Sequence, residues 1–309
     1  DYAHEISIPG PGSTASRPVR LSLHLHPYGN GRKLLLSRDV TALEQAEAMR
    51  RDFVANVSHE IRTPLTVLSG FVETLQTLPL NEQERSRYLE LMEQQSQRMQ
   101  TLVNDLLTLS RLEGSPPPGT DGWTPVSSLL DQCLQEARTL STLQTHGERA
   151  GHDLRLAYAP DQHSPGEIAG APNELHSALS NLLNNAVRYT PAGGLIEVKW
   201  WLLPDGRAAF SVKDSGPGIA SEHLPRLTER FYRIDRSRSR ETGGTGLGLA
   251  IVKHVAQRHG AELLIDSAPG QGSTFSIVFP ASRIRSPHAV APEPLATPAA
   301  ARSTESLQK

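Results

Sequence analysis

Apolar residues recur at steps of three and four from Leu43 to Leu78: Leu43, Ala46, Phe53, Val57, Ile61, Pro64, Leu68, Phe71 or Val72, Leu75 and Leu78, with Arg50 the one polar interruption. That period demands a long amphipathic helix. A second stripe follows at the same spacing, through Tyr88, Met92, Gln95, Met99, Leu102, Leu106, Leu109 and Leu112. Between them, Leu78-Pro79-Leu80-Asn81-Glu82 has room only for a turn, so the helices run antiparallel. Stripes this narrow cannot bury both faces of a lone hairpin, and two copies are expected to pair into a four-helix bundle. The alternative is a monomeric hairpin docked on the C-terminal half of its own chain.

His59 lies two positions from both Val57 and Ile61, so at about 100° per residue it turns away from the seam toward solvent. A lone exposed histidine is ordinarily a satisfied surface residue. Three neighbours argue for chemistry instead. Glu60 can accept the Nδ1 proton, leaving the Nε2 lone pair as a nucleophile. Pro64 offers no N–H to the carbonyl of Glu60 and should kink or loosen the helix beside His59. Thr63, one turn on, can present a hydroxyl on the same face.

The C-terminal half carries four separated motifs. Leu175, Ala178, Leu179, Leu182, Leu183 and Ala186 form the apolar face of a helix on which Asn181 and Asn185 stand at i and i+4. Their carbonyl oxygens could hold a hydrated Mg²⁺ ion, and asparagine is a poor choice for a helix interior on structural grounds alone. Asp214-Ser215-Gly216-Pro217-Gly218 follows the strand-like run Ala208 to Lys213. A carboxylate there can accept a hydrogen bond from the exocyclic amine of adenine, while glycines let the backbone approach; a lone D-S-G turn is common in loops. The run Gly243-Gly244-Thr245-Gly246-Leu247-Gly248-Leu249 opens a helix, exposing backbone N–H groups to phosphate. A dinucleotide fold would need a strand just before such a loop and an acid about twenty positions later. Arg236-Ser237-Arg238-Ser239-Arg240 precedes it instead. Finally, Gly270-Gln271-Gly272-Ser273-Thr274-Phe275 begins a strand with small and hydroxyl residues.

These residues carry a family resemblance. Phe53 to Thr66 resembles the H-box of sensor histidine kinases, and Leu36 to Phe53 is most similar to the phosphate-regulon sensor kinases among them. The four later motifs resemble the N, G1, G2 and G3 boxes of the Bergerat-type ATP-binding fold, an α/β sandwich. The resemblance implies that His59 takes a phosphoryl group from ATP and passes it to an aspartate on a response-regulator receiver domain, with Glu60 as base and Thr63 positioning water for dephosphorylation. It implies Asn185 on Mg²⁺, Asn181 and Arg188 at the phosphates, Tyr189 against the adenine face and Asp214 on the adenine amine. Gly216, Gly218, Gly244, Gly246, Leu247 and Gly248 would give backbone contacts, with Thr245 in the same loop and Thr274 lining the base pocket. Glu229 to Asp235 resembles the F-box of a lid, with Phe231 packed on the domain and Arg233 stabilising charge on the transferring γ-phosphoryl group; the bland alternative is a solvated basic face. A chaperone- or topoisomerase-type ATPase would need a glutamate where Asn181 stands. The other rival is a scaffold that binds ATP and a regulator without transferring phosphate.

The expected organisation is α+β: the end of a PAS-like sensor domain over 1–40, a dimeric phosphotransfer hairpin over 41–113, a linker over 114–122, an ATP-binding domain over 123–281 and a disordered tail over 282–309. Leu21, Leu23 and Leu25 alternate as a strand, Tyr28 to Gly31 turns and Lys33 to Ser37 returns, after which Thr41 and Glu44 should form a capping box. The start at Asp1 looks cut, with the membrane segments usual for the family lying outside this chain; the protein would then work on the cytoplasmic side of a bacterial inner membrane. A net charge of -2 gives no basic surplus for nucleic acid, and the single Cys133 allows no internal disulfide, as suits a reducing compartment. His24 with His26 and His254 with His259 read as ordinary surface histidines, without further ligands at metal spacing.

Overall fold

The computed structural model describes residues 5–14, 18–144, 151–158, 166–235 and 244–285. The chain divides into two compact units, 1–101 and 102–309.

In the first unit, β1 (Glu5–Pro9), β2 (Arg20–Tyr28) and β3 (Arg32–Asp39) form an antiparallel sheet in that order. The β2–β3 hairpin follows the alternation in the sequence, and its turn places Gly29, Asn30 and Gly31 at φ of 42°, 40° and 75°, conformations that only Gly and Asn adopt readily. β1 was not anticipated, because its few residues gain strand identity only by pairing with β2. Helix α1 (Thr41–Thr77) then runs unbroken through Pro64, so the loosening expected there is not a break.

The capping box expected at Thr41 and Glu44 does not form. The Glu44 carboxylate accepts instead from Ser7 Oγ at 2.6 Å and Arg20 Nε at 2.7 Å, and Thr41 Oγ1 accepts from the Arg20 N–H. A charged donor on the sheet outcompetes a helix N–H for the same carboxylate. The reciprocal cap appears at α2 (Glu82–Gly114), where Asn81 Oδ1 accepts from Glu84 N at 2.8 Å and Glu84 Oε2 accepts from Asn81 N at 3.0 Å. Along the hairpin the Phe71 and Tyr88 rings meet at 5.6 Å, yet α1 fully buries only Pro64.

The second unit begins with the last turns of α2. Its main sheet has the order β5 (Asp153–Tyr158), β7 (Leu195–Leu202), β8 (Ala208–Asp214), β10 (Gly272–Phe279) and β9 (Glu262–Ala268), antiparallel except between β5 and β7. Helix α3 (Val126–Gln144) packs on α4 (Pro172–Tyr189), and α4 packs on α5 (Gly248–Arg258) and on β8. The whole predicted apolar face of α4 is buried, as are Trp200, Phe210 and Phe279 of the sheet. A small second sheet pairs β4 (Trp123–Pro125), β6 (Glu167–Ala169) and β11 (Ile284–Arg285).

That last strand moves the start of the tail. Residues 282–285 belong to the folded unit, and the buried Arg283 guanidinium donates to the carbonyls of Pro118, Gly119 and Ala169. The remainder of the expected tail, 286–309, lies outside the described residues. His259 is also no surface histidine. It is 0% exposed, its Nδ1 lies 2.8 Å from the Val255 carbonyl and its Nε2 accepts from the Ala171 N–H, so it joins the end of α5 to the start of α4. Among the described residues no helix is long and apolar enough to cross a membrane.

Candidate functional site

Both glycine loops of the second unit pack against α4. Asn181 Nδ2 donates to the Ser177 carbonyl at 2.8 Å, and a Cβ added to Gly248 would stand 2.5 Å from Asn181 Oδ1. Only glycine lets α5 begin so close to that amide. Asn185, one turn on, is half-buried, and its side chain makes no hydrogen bond among the described residues, which leaves its amide oxygen available to a cation. Arg188 is largely buried; desolvation lowers its pKa against the fields of Tyr189 and Asp105, and its Nε has no hydrogen-bond partner among the described residues. Tyr189 is half-exposed at the end of the helix.

Asp214 ends β8 and is 6% exposed. Its Oδ1 accepts from Gly216 N at 2.8 Å. Burial raises its pKa above the ordinary 3.8, with the Gly216 and Ser273 N–H groups pulling the other way. A Cβ on Gly216 would meet Asp214 Oδ1 at 2.7 Å and the Tyr189 carbonyl at 2.9 Å, so this loop lies on the C-terminal end of α4. Gly218 has φ of 69° and no room at all, its virtual Cβ falling 1.9 Å from the Ala268 carbonyl.

Thr274 does not stand with Asp214. The ladder places Ser273 opposite Asp214 and Thr274 opposite the exposed Lys213. Side chains alternate between faces along a strand, so the hydroxyl on the carboxylate's face is that of Ser273, which is buried and bonded to Ser267 Oγ at 2.9 Å.

Gly244 opens the described part of the second loop, and Gly246 has φ of 74°. Thr245 Oγ1 accepts from Leu247 N at 3.2 Å, shaping the turn into α5, and donates to Asp105 Oδ2 at 2.6 Å. Leu247 is fully buried. Phe231 donates its N–H to the Gly246 carbonyl at 2.8 Å and takes φ of 63°, a strained value for an aromatic residue. Arg233 lies over the loop, its Nε 3.3 Å from the position of a Gly246 Cβ. The expected basic stretch Arg236 to Arg240, and Gly243, lie outside the described residues. Asp105 had no motif to mark it; the one signal is an acid three residues after Leu102, at the edge of an apolar seam.

In the first unit His59 is exposed on α1. The Thr63 hydroxyl donates to the His59 carbonyl at 3.1 Å, and the Glu60 carboxylate reaches Arg98 of α2 at 3.4 Å.

Residues 49–115 match the family described as the His Kinase A (phospho-acceptor) domain, and residues 170–283 match the histidine kinase-, DNA gyrase B- and HSP90-like ATPases. The chain belongs to the sensor histidine kinases. This histidine kinase is 47% identical over 294 residues to the phosphate regulon sensor protein PhoR of Pseudomonas aeruginosa, covering 95% of the chain and 63% of that relative. It is 34% identical to PhoR of Haemophilus influenzae, covering 84% of the chain and 58% of the relative. The kinase chain thus spans about three fifths of the length of these curated relatives. Among solved structures, full-length ShkA in complex with AMPPNP matches at 29% identity and a TM-score of 0.52, over 76% of this chain and 46% of that one.

Proposed function

We propose that this chain is the catalytic part of a phosphate-regulon sensor kinase, which autophosphorylates His59 from ATP and then passes the phosphoryl group to an aspartate of a response-regulator receiver domain. The observation that carries this is the packing of two glycine loops on one helix, α4, with a buried carboxylate, Asp214, under one and the start of α5 under the other. The adenine amine donates to Asp214, Tyr189 covers the base, and Asn181, Arg188 and the N–H groups from Gly244 to Gly248 face the phosphates. Asn185 would hold Mg²⁺ through its free amide oxygen, as suits a hard cation that takes one protein ligand beside phosphate oxygens and water. When bound, the ion neutralises phosphate charge. Arg233 adds a positive charge from the lid side.

His59 Nε2 forms a bond to the γ-phosphorus as the bond to the β,γ-bridging oxygen breaks, ADP leaving with the electron pair. The imidazole loses its Nδ1 proton to Glu60, which keeps the product neutral at the ring. Thr63 holds water for the reverse output, dephosphorylation of the regulator. Two copies of the hairpin form the working unit, because α1 leaves Leu43, Val54, Leu65, Val72 and Leu78 exposed in one chain. The similarity to phosphate regulon sensor proteins supports a role in phosphate-starvation signalling.

The test is incubation with γ-labelled ATP and Mg²⁺ beside His59→Gln and Asn185→Ala. Acid-labile, base-stable label present in the parent and lost in both variants is the expected result. Label that survives in His59→Gln would sink the assignment, and ATP binding without label would leave a scaffold.

A further inference from the structure

The last turns of α2 carry a carboxylate into the glycine loop that precedes α5. Asp105 Oδ2 accepts from the Thr245 hydroxyl at 2.6 Å, a short charge-assisted bond. Burial pushes the Asp105 carboxyl above its ordinary value, and the Thr245 bond and the Arg188 charge act against that rise. Arg188 is itself largely buried, and its Nε has no hydrogen-bond partner among the described residues.

The contact is held in place from three sides. Leu109 and Leu112 are buried. Arg258 donates to the carbonyls of Leu112, Ser115 and Pro116 at 2.7 to 2.8 Å while pairing with Glu174 at 2.9 Å. Glu113, two turns after Asp105, pairs with Arg230 at the root of the lid.

We propose that Asp105 is a built-in competitor of the nucleotide's phosphates: it holds the Thr245 hydroxyl of the glycine loop, and a triphosphate gains that group only by displacing it. The proposal rests on the nucleotide site described above and adds its regulation. Two anions close to one guanidinium in a poorly solvated site repel each other, so Asp105 docking and triphosphate binding are antagonistic, with reciprocal effects on each other's equilibrium.

The experiment measures dissociation constants for ATP and for adenosine with the full chain, Asp105→Asn and Asp105→Ala. Asparagine keeps the shape and removes the charge; alanine removes charge and acceptor together and favours the helix, so either folded variant suffices. ATP is expected to bind about tenfold tighter to the variants, within the usual range of such couplings, while adenosine binds as to the parent. Unchanged or weaker ATP binding in a folded variant overturns the competition, and so does an equal gain for adenosine, which would mark a general change in the domain. ATP bound equally by parent and variants removes this proposal alone; ATP bound by none removes the nucleotide site and the proposal with it.

Discussion

Replacing Asp214 by Asn separates recognition from stability in a way that few substitutions in this site can. The side chain is 6% exposed and one oxygen accepts from Gly216 N, a bond that the asparagine oxygen reproduces. What changes is the second position, where the acceptor proposed above for the adenine amine becomes an NH₂ donor. A hydrogen bond to a charged acceptor contributes about 1.5–3 kcal/mol. At about 1.4 kcal/mol per decade, the loss in ATP affinity is roughly 10- to 150-fold. The facing donors should also relax the preference for ATP over ITP, whose base presents a carbonyl at that position.

Stability should move the other way. Burial raises the folded pKa of Asp214 above 3.8, so its stabilising contribution is fully present below that pH and is lost as pH rises through the folded value. At neutral pH the parent carries a poorly solvated charge that the amide does not. Thermal unfolding at pH 7 should therefore occur at the same or a higher temperature in Asp214→Asn, with a flatter pH dependence on the acid side. Calorimetric titration with ATP and ITP, beside thermal melts, reads both effects. An Asp214→Asn protein that retains parental ATP affinity, or loses it together with its melting temperature, would refute the reasoning.

Three further outcomes follow from the geometry. Gly218→Ala places a methyl 1.9 Å from the Ala268 carbonyl at φ of 69°, and the left-handed backbone alone should cost about 1–3 kcal/mol in urea denaturation of the second unit; a silent change would show that the loop rearranges freely. Asn81→Ala removes the side-chain half of the cap on α2, the Oδ1 acceptor for Glu84 N, while the backbone N–H still donates to Glu84; it should lower hairpin stability by about 1 kcal/mol, read as a shifted urea midpoint at constant slope. Thr63→Ala should spare autophosphorylation of His59 and slow dephosphorylation of the regulator; equal losses in both assays would end that division of labour.

The residues that local period controls were legible in advance. The apolar face of α4 and the two seams of the hairpin repeat at the helical period, which is a property of neighbours in sequence. The glycine loops were legible for a similar reason, since a positive φ at Gly218 or Gly246 is written in the residue type itself. Where two partners compete for one group, the local reading failed. Glu44 had a capping partner three residues away and took Ser7 and Arg20 instead. Thr274 and Ser273 differ by one step along a strand, and the register of β10 on β8 alone decides which hydroxyl shares the face of Asp214. Arg283 looked like the start of a tail until its carbonyl partners, more than a hundred residues earlier in the chain, were brought to it.

The sequence by itself determined the helical hairpin, the exposed histidine on α1 and the order of the nucleotide motifs, because each depends on spacing within a few residues. Only the tertiary structure decided that Asp105 meets Thr245, that His259 joins two helix ends and that β11 closes the small sheet. Those contacts join groups far apart in the chain, and the burial that raises the Asp105 pKa and lowers that of Arg188 exists only once the chain has folded around them.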